Sequence, residues 1–327
     1  MMQKHMNALT KTRILRAAAA VLAGATALLA CRRDTIQYPT SAYYVAIETD
    51  ADASAVAGTP APKIYSMNFY DAASGRLVLH DYIRPAYRPE GLPEGGYANG
   101  LTPGEYDIVI YNYDTSTTIV DREEQLSGAY ARTDVYGYSQ GTPIIKMPDP
   151  LYIHSGHVDV PYITTEDGLY VILTEPVPVL ERWTVSVGGI RNAENLRGMV
   201  IYLSGQCRGL YAETGEPLQE KAILRFAADT QLMTRADGES VTIITGYNTF
   251  GRLADGTRCL LTVQAAGPEG SVYYYQEDVT AKIAEAEKKG TNAFSVDADL
   301  EINPAQQGGF DPKAEEWDSQ TEYIELS

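Results

Sequence analysis

The sequence predicts an all-β protein, two tandem Greek-key β-sandwich domains behind a cleaved leader, and three observations predict it. From Ser41 onward, short segments of alternating apolar and polar residues are separated by Gly, Pro, Asn and Asp turns, the pattern of sandwiches and barrels. Only one stretch carries a helical period. The 327 residues, 44% of them hydrophobic, supply apolar surface for two cores at roughly 150 residues each.

The leader comes first. Met1–Arg16 is basic, with Lys4, Lys11, Arg13 and Arg16 and no acid, and Ala17–Leu29 is apolar apart from Gly24 and Thr26. That run is shorter than the roughly 20 residues a bilayer span needs, but it fits the apolar region of a signal peptide. It ends in Leu28-Leu29-Ala30-Cys31, small and aliphatic residues running directly into a cysteine, as in a bacterial lipobox. Residues 1–30 are therefore expected to be a lipoprotein signal peptide and residues 31–40 a tether. Cys31 would carry a diacylglyceryl group and an acylated amine. Two or more chains anchor a protein stably where one binds only reversibly. The competing reading is a secretory signal with an incidental cysteine. The position of Cys31 and the residues before it argue against that.

The strands follow in order. Tyr43–Glu48, Ile64–Tyr70, Arg76–Ile83 and Tyr106–Tyr113 are expected in a first domain, residues 41–155. Leu169–Leu173, Met199–Leu203, Val241–Thr245 and Leu260–Ala265 belong to a second, residues 156–327. Trp183, Val185 and Val187 share one strand face, as do Phe294, Val296, Ala298, Leu300 and Ile302, because successive side chains point to opposite sides. The boundary is placed near Ser155, since Pro143–Thr165 is rich in Pro, Gly and His and shows no long strand. Residues 278–289 place Val279, Ile283 and Ala286 at helical spacing, with Lys288-Lys289 at the end and Gly290 beyond, which predicts a short amphipathic helix.

Charge and composition narrow the chemistry. The formal net charge of −17 opposes a phosphate backbone, so a nucleic-acid partner is excluded. Cys207 and Cys259 are the thiols left after Cys31. They can pair as a disulfide in an oxidising compartment or stay as buried free thiols. Gly205-Gln206-Cys207-Arg208-Gly209 imitates a nucleophile elbow, but its surroundings read as strand and His80, His154 and His157 lie far from it in sequence. His154 and His157 lack a third metal ligand at zinc spacing. Asp297, Asp299 and Glu301 alternate along a strand, whereas calcium needs a wrapping loop. No catalytic residue, metal site or cofactor is expected. Tyrosines cluster at Tyr43-Tyr44, Tyr111/Tyr113, Tyr136/Tyr138 and Tyr273–Tyr275, where they can cover sandwich surfaces, stack on sugars or anchor an interface.

In this order the pieces resemble the fimbrillin-type accessory lipoproteins of Bacteroidales, related to the fimbrillin-A-associated anchor family. Leu101-Thr102-Pro103-Gly104-Glu105-Tyr106, leading into Ile108–Asn112, is similar to a segment of their first domain. Val185–Ile190 followed by Tyr202–Gly205 resembles the opening of their second. Thr249-Phe250-Gly251, Leu261–Val263 and Asp278-Val279-Thr280 resemble its later part, and Gly309–Pro312 with Trp317 and Tyr323–Leu326 its closing strand. The resemblance implies two tandem transthyretin-like sandwiches on a lipid anchor at the outer membrane, and a role in anchoring, capping or regulating a fimbrium. Its members often carry acids after the lipidated cysteine. Arg32 and Arg33 stand there instead and leave the leaflet open.

Two functions follow as expectations. One is a non-enzymatic, fimbrium-associated lipoprotein whose partners are fimbrillin-like pilin subunits, bound by β-strand addition. The other is a glycan-binding lipoprotein of a polysaccharide-uptake system. Tyr323, Ile324 and Leu326 are expected to form a closing strand of the second sandwich or a strand donated to another subunit.

Overall fold

The computed structural model describes residues 43–48, 62–84, 91–163, 168–229, 233–236, 240–254 and 256–304. The strands of the first part are β1 (Tyr43–Ile47), β2 (Tyr65–Asp71), β3 (Leu77–Ile83), β4 (Gly95–Tyr97), β5 (Gly104–Asn112), β6 (Thr118–Asp121), β7 (Tyr130–Thr133), β8 (Val135–Ser139) and β9 (Thr142–Lys146). The chain continues through β10 (Tyr152–Val160), β11 (Tyr170–Thr174), β12 (Val177–Pro178), β13 (Glu181–Arg191), β14 (Gly198–Cys207), β15 (Gly209–Tyr211) and β16 (Lys221–Ala227). It closes with β17 (Met233–Ala236), β18 (Ser240–Thr249), β19 (Leu260–Ala266), β20 (Val272–Asp278), helix α1 (Thr280–Lys289) and β21 (Ala293–Glu301). The protein is all-β, and α1 is the one α-helix among the described residues.

Two pairs of sheets enclose apolar cores. A three-stranded sheet β11-β1-β4 and a five-stranded sheet β12-β10-β5-β2-β3 share a core that includes Val45, Met67, Phe69, Ile108, Ile110 and Ile172. A four-stranded sheet β17-β18-β13-β21 and a six-stranded sheet β20-β19-β14-β16-β9-β8 share a larger one that includes Trp183, Val187, Leu203, Leu224, Leu261 and Val296. Ile283 and Ala286 of α1 pack into this second core. Burying each such aliphatic or aromatic side chain contributes about 1.5–3 kcal/mol.

Each expected strand that lies among the described residues is present, with β14 and β18 running four residues past their expected ends, and the closing strand at Tyr323–Leu326 lies outside those residues. The Tyr106 segment shows why its motif is built as it is. The Tyr106 ring meets Phe69 edge-on at 5.9 Å, and its hydroxyl donates back to the Thr102 carbonyl at 3.0 Å, tying the turn to the strand that follows. The Gly188-Gly189 pair lies at a β-bulge where β13 slips register against both neighbours. Gly189 sits at φ +70°, and a Cβ there would stand 2.8 Å from the Asp299 backbone nitrogen. Only glycine meets both demands. α1 starts where Asp278 Oδ1 accepts the Thr280 hydroxyl at 2.6 Å and ends on Gly290 at φ +64°.

One expectation is corrected. Residues 143–165 hold β10, paired with β5 from Ile153 to Val160, so a domain boundary at Ser155 would cut a strand through its middle. His154, Ser155, Gly156, His157 and Asp159 have weak β-preference, but ladder pairing along β5 overrides it. β9, also placed in the first domain, pairs parallel with β16 inside the six-stranded sheet, while β11 (the Leu169–Leu173 segment placed in the second domain) pairs parallel with β1 in the first sandwich, because Ile172 packs into that core. In return β15 pairs with β7 in a small sheet β15-β7-β6. The reverse face of the five-stranded sheet (Tyr70, Val109, Tyr111, Ile153) joins the same apolar cluster as Trp183.

Candidate functional site

Two surface features could meet a partner: open sheet edges and a tyrosine-lined groove. β8 ends the six-stranded sheet, and among the described residues no strand pairs with its far side. Its Tyr136 and Tyr138 are exposed, and the Arg225 guanidinium lies over the Tyr136 ring, 4.2 Å from its centre. β20 ends the same sheet at the opposite side, with Tyr274 exposed on the outward face.

The groove lies where β3, the end of β5 and β6 meet and has a volume of about 290 Å³. Tyr82 and Tyr113 stand side by side on its wall, 43% and 52% exposed, with ring centres 4.7 Å apart and planes tilted by 51°. The neighbouring Tyr113 hydroxyl pushes the Tyr82 phenol above its ordinary value. The edge of the pair is held from behind. His80 meets the Tyr82 ring edge-on at 4.9 Å, and its Nδ1 is 2.7 Å from Oδ1 of Asn68, a buried residue. On the floor, the buried Tyr111 hydroxyl donates to Glu123 Oε1 at 2.5 Å. Burial and that carboxylate both push the Tyr111 phenol up, so it stays protonated. Among the described residues no lysine or arginine lines the groove.

The sequence-expected residues fall as follows. Cys207 and Cys259 are fully buried and both are free thiols. Burial, with Glu181 adding to it, pushes the Cys207 thiol up to about 11, so it is unreactive as a thiolate near neutral pH. Cys207 lies within β14, with no helix following, unlike a nucleophile elbow. His154 and His157 sit three positions apart on β10 and so point to opposite faces, and one ion cannot reach both. His157 Nδ1 lies 2.9 Å from Asp107, and His154 Nδ1 accepts the Glu175 N–H at 3.2 Å. Asp297, Asp299 and Glu301 form an exposed strand face, where Arg191 pairs with Asp299 and with Glu301. Among the described residues no cluster of His, Cys, Asp and Glu can hold a metal.

Tyr43 and Tyr44, clustered in sequence, are both buried, donating to the carbonyls of Pro161 at 2.8 Å and Pro93 at 3.1 Å. Tyr82 was not among the sequence clusters. Only tertiary folding brings it beside Tyr113. Cys31, Tyr323, Ile324 and Leu326 lie outside the described residues. Among the described residues no helix is long and apolar enough to cross a membrane.

Comparison with known proteins places this geometry in a setting. A family profile described as a domain of unknown function (DUF5119) matches residues 85–227. Comparison with curated proteins returns no match. Among solved structures, a candidate adhesin from Bacteroides ovatus ATCC 8483 is 19% identical, with a TM-score of 0.54 over 83% of this chain and 95% of that one. A second candidate adhesin from Bacteroides ovatus is 11% identical, with a TM-score of 0.49 over 78% of this chain and 88% of that one. The fimbrial anchor protein Mfa2 from Porphyromonas gingivalis is 15% identical, with a TM-score of 0.45 over 78% and 88%. The first of these shares the fold.

Proposed function

We propose that the chain is a lipid-anchored, non-enzymatic adhesion protein that joins a pilus-like assembly at the cell surface through β-strand addition at β8. The observation that carries this reading is the open edge of β8, with Tyr136 and Tyr138 exposed beside it. An extended segment of a pilin-like subunit would complete the sheet there. Main-chain hydrogen bonds would give affinity and the tyrosines would set register. The fold shared with a candidate adhesin supports the reading. The anchor is Cys31, and Tyr323, Ile324 and Leu326 form either the closing strand or the segment this chain donates in turn.

The test places a photo-crosslinking residue at Tyr138 in cells. The expected adduct is a β-sandwich pilin subunit, lost when Tyr136 and Tyr138 are replaced by lysine, since edge charges block strand pairing. An adduct that survives both lysines excludes the β8 edge. Palmitate labelling of wild type but not Cys31→Ala checks the anchor separately. Truncation after Gly309 should lower the melting temperature if the closing strand is intramolecular, and abolish capture without changing melting if it is donated.

A further inference from the structure

We propose that the Tyr82–Tyr113 groove binds a neutral pyranose unit of an oligosaccharide. The inference rests on the groove alone and stands or falls independently of strand addition at β8.

Three features of the groove define what it can hold. The first is shape. A volume of about 290 Å³ is at the small end of ligand sites, which start at roughly 300 Å³, and suits one or two sugar rings better than a folded partner. The second is a pair of exposed aromatic faces. A pyranose has one face of C–H groups and a rim of hydroxyls, so it stacks its apolar face on a phenol ring while its rim stays wet. Tyr82 and Tyr113, tilted by 51°, offer two such planes, and the exposed Ile119 extends the apolar wall. The third is the polar set. The phenol hydroxyls of Tyr82 and Tyr113 donate and accept, and Glu123 keeps acceptor capacity beyond its bond to Tyr111. With one carboxylate and no cation among the described residues of the lining, an anionic sugar would meet repulsion. A cationic peptide would find one carboxylate among the described lining residues, already engaged by Tyr111. A neutral ring fits what remains.

The wall is also preorganised. Tyr82 is braced through His80 to Asn68, whose amide donates to Ser66 Oγ at 3.1 Å and to the Val109 carbonyl at 3.2 Å inside the sheet. A ring that is already fixed loses little side-chain freedom on binding.

Saturation-transfer NMR and calorimetry on the folded protein, with maltohexaose, laminarihexaose, mannohexaose and a galactan hexasaccharide at millimolar concentration, test the proposal. At least one should bind, with an affinity insensitive to salt, because no ion pair forms. Tyr82→Ala and Tyr113→Ala should each weaken it by about tenfold, while Tyr82→Phe retains most of it by keeping the stacking face. Tyr138→Ala, an exposed tyrosine elsewhere, should leave it unchanged. Circular dichroism of each variant confirms the fold, which these exposed positions do not support. No binding by any member of the panel overturns the proposal. So does binding that survives both alanine variants, or salt-sensitive binding of heptalysine in place of the sugars.

Discussion

β2 and β5 of the five-stranded sheet and β19 and β20 of the six-stranded sheet differ in how many faces they bury. β2 and β5 of the five-stranded sheet are covered on both sides: Met67, Phe69 and Ile110 face the first core, and Tyr70, Val109 and Tyr111 face the larger cluster. On the β19–β20 side of the six-stranded sheet, Leu261, Val263 and Ala265 face the core while Thr262, Gln264 and Gln276 look outward; farther along that outward face Ile144, Tyr202 and Ile223 form a small buried cluster. The same alternating pattern therefore has two outcomes. On the wet β19–β20 side, Gln276 donates to Thr262 Oγ1 at 3.0 Å in view of solvent. On the doubly covered sheet, the polar positions Ser66 and Asn68 are fully buried, and they need an internal network, completed by His80 and the Val109 carbonyl. A buried polar group without partners costs about 1–3 kcal/mol, which explains why that network is closed.

The contrast can be broken most severely at Phe69, fully buried between the two sheets of the first sandwich. Phe69→Ala should lower unfolding free energy by about 3–5 kcal/mol in urea titration, and a loss under about 1 kcal/mol would mean the first core is not formed as described. Asn68→Ala comes next. It leaves His80 and the Val109 carbonyl short of a partner and should cost about 1–3 kcal/mol. Gly189→Ala in β13 should cost a similar amount, since it meets both a left-handed backbone and the Asp299 nitrogen. A neutral result there would remove the bulge as the reason for the glycine pair.

Acidification separates the two regions more gently. Burial holds the His154 imidazole below its ordinary 6.5, so the unfolded chain takes up a proton before the folded one does. Stability is therefore full above pH 6.5 and falls as the pH drops through and below that value. His154→Gln should flatten the melting-temperature profile between about pH 7 and 5, where carboxylates contribute little. A profile identical to wild type would remove His154 as its source. The smallest effect is the counterpart of Asn68. Gln276→Ala on the wet face should stay within about 0.5 kcal/mol, and a loss matching that of Asn68 would erase the distinction between the two sheets.

Much of this was legible in the residues. The alternation of Phe294, Val296, Ala298 and Leu300 reads directly as a one-faced strand because β21 is one, exposed and buried in strict turn. The helix was legible from Val279, Ile283, Ala286 and Gly290. β10 was not, because His154, Ser155, Gly156 and Asp159 have little preference of their own and β5 supplies the pairing. β9 likewise gives no local sign that it will lie beside β16, far along the chain. The groove was half visible: Tyr111 and Tyr113 stood out, while Tyr82 looked like an ordinary member of β3.

Local chemistry by itself determined the all-β class, the helix and the inward set of one-faced strands such as β21. A period of two or 3.6 residues is a property of neighbours along the chain. The tertiary structure alone decided that β2 and β5 are buried on both faces, that β8–β9 and β15 cross between sheets, and that Tyr82 meets Tyr113. Those outcomes depend on which distant surface covers a sheet, and a chain's alternation records only that one face is apolar, not whether something packs on the other.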